Sequence, residues 1–396
     1  MKTDDVLRLV LPSCLTPNSE LLAGLSPQAR VRNKASHYLS YLHTGRYDQQ
    51  RERTYVSVSS GICKDLYTPK AYNKMRTFLL EQRIIESDHD YRRTTEIKAG
   101  HCKGWRISEE ISQDSIITEI QDKALMKKLT QQRGKVISTY SEIIARMEID
   151  LRSVHFDDSF HLATFIKSLP EGRSTHAIAC LINAIIKIQD SDCALHNTII
   201  QGHSSQRYFH KLNNTSKELR PLLLFEGERS CEVDVANCQP LLMACILRDP
   251  HMILSCSAGM FYEDLLEHSP MPLARSDMKV AVLKDVIGYN PSKVGYDYRM
   301  GKPAHIAFMK AFPQAYRLNE EFRTKHGDLA MIRQLQRLES QIIHENVLPM
   351  IQQEGCPAVT IHDCVMTDER STETVKACLE LCFEDRIGKP CKIKLE

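Results

Sequence analysis

The sequence predicts a mixed α/β chain of several domains, and three observations carry that expectation. Apolar residues recur three and four apart over much of the chain, the signature of amphipathic helices, and short alternating or continuous apolar runs between them mark strands. At 396 residues the chain exceeds one compact domain and suggests two or three, at roughly 150 residues each. Hydrophobic residues make up 42% and charged residues 26%, enough apolar mass for real cores and unlike disordered, collagenous or coiled-coil chains.

The formal net charge is only +2, which excludes a uniformly basic nucleic-acid coat. Charge is nevertheless uneven. Residues 30–107 carry 16 Lys and Arg against 8 Asp and Glu, a local +8 that leaves −6 for the remainder. One basic segment and a mildly acidic rest suit parts that meet different partners. The 14 cysteines are scattered with no CxxC pair, so neither a zinc ribbon nor a thioredoxin-type motif is expected. The acidic start (Asp4, Asp5) with Arg8 and Pro12 breaking the first apolar stretch is unlike a secretory signal. No apolar run approaches the roughly 20 residues of a membrane span, so a cytoplasm, or a host cell's cytoplasm, is the expected compartment and no membrane partner is expected.

Residues 1–50, with weak periodicity and Pro12, Pro17, Asn18, Gly24 and Pro27, read as a short helical arm. Residues 51–110 show a sharper pattern. Tyr55–Ser59 alternates as a strand, and Lys70–Gln82 is helical with Tyr72, Met75, Leu79 and Leu80 at helical spacing. Arg83–Glu86 and Gly104–Ser108 read as two strands around a charged loop. A helix followed by two strands and a basic loop resembles the winged-helix module of replication proteins. That resemblance places Lys70, Lys74 and Arg76 on a nucleic-acid-binding helix and Arg92, Arg93, Lys98 and Lys103 on its wing. A protein-binding winged helix or a solvated basic face is the competing reading. Residues 111–200 read as helical over Ile111–Leu129, Val136–Arg152, Phe160–Ser168 and Ala177–Ile188, a scaffold or thumb-like clamp without an ionisable cluster.

The chemistry concentrates in residues 201–396. Ser230–Leu247 reads as a strand ending at Asp234, then a turn with Asn237 as helix N-cap and Pro240 in the first turn. Alone, a strand-end carboxylate is as well explained as a cap. Arg275 and Lys279, four apart, share one helix face ahead of Tyr289, and alone suit either a phosphate clamp or a solvated amphipathic helix. Cys356–Glu369 reads as a tight hairpin with His362-Asp363 at its tip.

Taken in order, strand-Asp, helix with RxxxK and a following Tyr, and hairpin His-Asp resemble motifs A, B and C of the family A DNA polymerases and phage-type single-subunit RNA polymerases. The stretch SSQRYFHKLNNTSKELRPLL, with Arg207 and Arg220, resembles that superfamily's approach to motif A. GMFYEDLL, with Tyr262, resembles the stretch before motif B, and the helix before motif C carries Gln336 and Gln341. The likeness spans about residues 201–370. It implies a palm over 201–396 with a fingers insertion at about 259–310, in which Asp234 and Asp363 hold two Mg²⁺ ions (Mn²⁺ being the alternative). It further implies that Arg275, Lys279, Tyr289, Tyr262 and Gln239 meet a nucleoside triphosphate, and that Arg207, Arg220, His362, Gln336 and Gln341 meet a DNA or RNA primer-template. Three positions depart from the pattern: Gln239 stands where the DNA polymerases carry Glu, Cys364 follows the His-Asp, and position 287, eight after Lys279, is Ile. The implied function is template-directed nucleotidyl transfer, as a compact DNA polymerase of a phage, plasmid or other mobile element, with origin or terminus DNA as a further partner of the winged helix. A primase or RNA polymerase, and a non-catalytic replication initiator, are the alternatives.

Overall fold

The computed structural model describes residues 6–45, 55–88, 102–111, 114–190, 198–288, 301–327, 329–389 and 391–396. Arg92, Arg93, Lys98 and Tyr289 lie outside the described residues. Helices and small antiparallel sheets share the chain, the mixed class expected from its sequence. They form two compact units: residues 1–139, 155–198 and 214–219 make the first, and 140–154, 199–213 and 220–396 the second.

In the first unit, β1 (Leu7–Leu11) precedes α1 (Ala29–Thr44). Next come β2 (Val56–Ser57), α2 (Ser60–Tyr67), α3 (Pro69–Glu81), β3 (Ile85–Ser87) and β4 (Gly104–Ile107). The Ser59 and Thr68 side chains cap α2 and α3, accepting from the Ile62 and Ala71 N–H groups, and Pro69 sits in the first turn where its missing N–H costs nothing. Strands β2, β4 and β3 pair antiparallel in that order, with Val56 opposite Trp105 and Ile85 opposite Ile107.

The expected arm at 1–50 is instead part of this core. Leu9, Leu11, Tyr38, Leu39 and Leu42 share one buried cluster with Tyr72, Met75, Leu79, Ile85 and Trp105. Its periodicity is weak because the inward face of α1 also carries Asn33, Ser36 and Ser40. Those groups are satisfied inside: the Ser36 hydroxyl donates to the Leu15 carbonyl (2.9 Å) and Ser40 Oγ accepts from the Val10 N–H (3.2 Å). A second correction concerns 111–129. Only its end is helical, because β5 (Ile116–Ile120) pairs with β1, Leu7 opposite Ile120, before α4 (Lys123–Ile137) starts. Helical spacing inside that stretch yields to a partner strand more than a hundred residues away.

The second unit takes α5 (Glu142–Ser153) out of the expected helical region 111–200. Its Asp150 carboxylate accepts from the Ala358 N–H at 3.0 Å. Strand β6 (Leu223–Phe225) turns into β7 (Glu228–Val235), and α6 (Cys238–Leu247) follows. Then come α7 (Phe261–Glu267), α8 (Arg275–Ala281), which widens into a π-helical turn over Val282–Ile287, and α9 (Ala330–Gln341). Hairpin β8 (Val359–Ile361) and β9 (Cys364–Asp368), helix α10 (Thr372–Ile387) and β10 (Ile393–Leu395) complete it. These strands lie side by side in the order β8-β9-β7-β6, with β10 pairing the end of β7. Val233, Val235, Val359, Val365 and Met366 are fully or almost fully buried, and α6 is buried nearly all round. The ends of β7 and the β8–β9 hairpin are therefore held by close-packed, buried side chains.

Candidate active site

Asp234 lies one residue before the end of β7, half-buried between two partners: Cys364 faces it across the ladder on β9 and Lys394 on β10. Cys364 directly follows Asp363, so the hairpin tip delivers the second carboxylate beside the first. The tip is a two-residue turn, since Ile361 pairs with Cys364. Its first residue, His362, has φ +61, a left-handed conformation usually given to glycine. Asn237, at the turn from β7 into α6, is left-handed as well (φ +57). It stands at the N-cap, as its sequence suggests, but its side chain makes no capping bond. Two strained non-glycine residues thus flank the two acids, a pattern that clusters at functional sites because packing must over-determine it.

The electrostatics match the geometry. Burial first, then the like charge of Asp363, pushes the Asp234 carboxyl up to about 7, while Lys279 and Lys394 pull it down. Lys279 itself is exposed on α8, one turn after Arg275. Arg275 is ion-paired with Glu263 (2.7 Å) and its guanidinium lies 5.1 Å from the centre of the Tyr262 ring. Tyr262 is buried, and burial pushes its hydroxyl up, with Asp363 among the charges that act on it. Asp234, Asp363, Lys279, Tyr262 and Arg275 are therefore brought together.

Glu339 was the missed member. It lies on α9 with no exposed surface, where its Oε2 accepts from Arg207 Nη2 at 2.6 Å and from Gln239 Nε2 at 2.7 Å. Burial, then the charge of Asp363, pushes it up to about 7 against the pull of Arg207. A signal was present in the sequence: Met331, Leu335 and Glu339 lie on the buried stripe of α9, which Ile342 continues just past its end, and an acid in an apolar stripe demands a partner. Cys238, at the start of α6, is also buried; its thiol is pushed well above its ordinary range by burial, then by the nearby carboxylates.

The remaining expected residues sit elsewhere or spend their charge inside. Arg220 is paired with Glu232 at 3.0 Å. Arg207 and Arg220 thus brace the second unit from within, whereas the resemblance sets both toward nucleic acid. His362 meets the edge of Phe209, ring centres 5.8 Å apart. Gln336 is half-buried on α9. Gln341 lines a cavity of about 330 Å³ with Ser141, Gln201, Tyr208, Ser340 and His344. In the first unit, Lys70 and Lys74 are exposed one turn apart on α3, and Arg76 lies 5.6 Å from the Tyr72 ring centre.

No protein-family model and no curated protein matches this sequence. Among solved structures, the chain is similar to the POL domain of Pol1 from M. smegmatis in complex with DNA primer-template and dNTP, at 12% identity and a TM-score of 0.40. The match covers 68% of this chain and 63% of that one, so the chain spans less than two thirds of its solved neighbour. No described helix is long and apolar enough to cross a membrane.

Proposed function

We propose that the second unit is a template-directed nucleotidyltransferase of the DNA polymerase kind, with Asp234 and Asp363 as its metal-holding carboxylates. One observation carries the reading: an aspartate at the end of β7 and an aspartate in the two-residue turn of the neighbouring hairpin repel each other, with Lys279 alongside. Oxygen donors held close and underbalanced in charge suit Mg²⁺, which takes one or two carboxylates and fills its other positions with water and substrate phosphates. When bound, two such ions activate the primer 3′-oxygen and offset charge on the departing pyrophosphate.

The chain's own groups complete the site. The Lys279 ammonium, exposed and within electrostatic reach of Asp234, neutralises the leaving phosphates. Arg275, steadied by Glu263 and the Tyr262 face, orients the triphosphate with part of its charge already spent. Gln239, five residues after Asp234, fills the place beside the sugar. Its side chain has the volume of glutamate and so disfavours the extra ribose oxygen. In the first unit, Lys70, Lys74 and Arg76 offer α3 to duplex DNA.

A second reading, primase or RNA polymerase, has one observation in its favour. One N–H of Gln239 Nε2 is committed to Glu339, which fixes the amide's orientation and leaves its carbonyl oxygen as an acceptor for a ribose 2′-hydroxyl. Primer extension in Mg²⁺ with dNTPs and then rNTPs tests both readings. Wild-type incorporation that disappears in Asp234→Ala supports the enzyme, and the preferred sugar selects between the two. An inert wild type that still binds DNA leaves the replication-initiator alternative standing.

A further inference from the structure

Overlapping the aspartate pair at Asp363 lies a second ligand set, two of whose members magnesium chemistry does not use. Among the described residues, Cys238, Glu339 and Asp363 each offer an atom, and the three lie within 4.8 Å of one another. They come from three separate elements: the first turn of α6, the buried stripe of α9 and the β8–β9 turn. Their packing, not one flexible loop, sets their spacing. A second observation points to a ligand. Glu339 has no exposed surface, and while Oε2 accepts from both Arg207 and Gln239, Oε1 has no hydrogen-bond partner among the described residues. An orphaned buried carboxylate oxygen is costly, and a bound cation relieves that cost.

We propose that Cys238, Glu339 and Asp363 form a binding site for a thiophilic divalent cation of the zinc class, sharing Asp363 with the magnesium pair. The donor set decides the metal. A thiolate with two carboxylates suits Zn²⁺ or Co²⁺, which accept sulfur and oxygen together in four-coordinate sites, whereas Mg²⁺ demands hard oxygen ligands and octahedral geometry. Binding is a proton exchange: the metal–sulfur bond forms as the Cys238 S–H proton leaves to solvent, with no change of oxidation state. Three protein ligands leave the fourth position to water. An ion held there engages Asp363 and withdraws it from its partnership with Asp234, so zinc-class cations act as inhibitors of the magnesium-dependent reaction.

The test is a titration of the full, metal-free chain with Co²⁺ alone, read by absorption. The expected result is a thiolate-to-cobalt charge-transfer band that saturates at one equivalent, is displaced by Zn²⁺ and is absent in Cys238→Ser. Glu339→Gln weakens Co²⁺ at least tenfold. Circular dichroism and thermal unfolding establish that the variants are folded, and Cys238→Ala and Glu339→Asp serve if the first pair is not. A wild type without the band, or a folded Cys238 variant that keeps it, overturns the site. The readout needs no turnover: cobalt binding in a protein that incorporates no nucleotide sinks the polymerase reading and leaves this site intact.

Discussion

If Asp234 is held against its own charge, its neutral isostere stabilises the protein while removing its activity, and the stabilisation grows with pH. The ordinary carboxyl value is 3.8 and the folded value about 7. The folded state therefore binds more protons than the unfolded chain between those limits, and stability is lost as pH rises through that window and stays lost above it. Each unit is worth about 1.4 kcal/mol, so the full interval is an upper value of roughly 4 kcal/mol, and relaxation of Lys279 and Lys394 toward Asp234 brings it to roughly 2–4 kcal/mol. In Asp234→Asn neither the burial cost of the charge nor the repulsion from Asp363 remains.

Thermal unfolding in EDTA of wild type and Asp234→Asn, at pH 4.5 and pH 8.5, measures this. The variant melts roughly 5–15 °C higher at pH 8.5, at about 2–4 °C per kcal/mol, and only slightly higher at pH 4.5, where wild-type Asp234 is already protonated. Added Mg²⁺ narrows the gap, because it binds folded wild type and not the variant. In the same preparation, incorporation falls by at least about a thousandfold, since losing the metal clamp removes several kcal/mol of transition-state stabilisation. A pH-independent difference in melting, or a destabilised Asn variant at pH 8.5, refutes the idea that two like charges are forced together here.

Two further predictions concern the cationic helices. Lys279→Ala lowers kcat and raises the KM for nucleotide, whereas Arg275→Ala acts mainly on KM because Glu263 already takes part of its charge; steady-state kinetics with one nucleotide varied separate the two, and unchanged constants in both make α8 a mere surface. Lys70→Ala with Lys74→Ala weakens duplex DNA binding and reduces the salt slope of log K by about 0.9 for each phosphate no longer neutralised, measured by fluorescence anisotropy; an unchanged slope assigns α3 to a protein partner.

What could be read from the sequence follows the range of the interactions that shape each part. The carboxylates were legible because each belongs to a local pattern: apolar alternation around Val233 and Val235 marks a strand that must stop near Asp234, and a hairpin reduces to a run, a turn pair and a run. The helices α3 and Thr175–Gln189 were legible for the same reason, as period and caps lie within a few residues of each other. Interactions between distant residues were not. Strand β5 exists because β1 offers it a partner, and Lys394 stands beside Asp234 because β10 returns to β7 from the far end of the chain. Glu339 is the sharpest case. Nothing within its own turn of helix explains an acid with no exposed surface, because both its donors, Arg207 and Gln239, lie at least 100 residues away. The consequence reaches the chemistry: read locally, Gln239 is a free amide whose volume alone governs the sugar, but with Nε2 bound to Glu339 it is a fixed acceptor. Its orientation is set by a residue on another helix, and on the proposed reading the choice between deoxyribose and ribose follows from it. Glu339→Gln, which also removes a charge that Asp363 feels, is therefore expected to alter the ratio of dNTP to rNTP incorporation in primer extension while both aspartates stay in place.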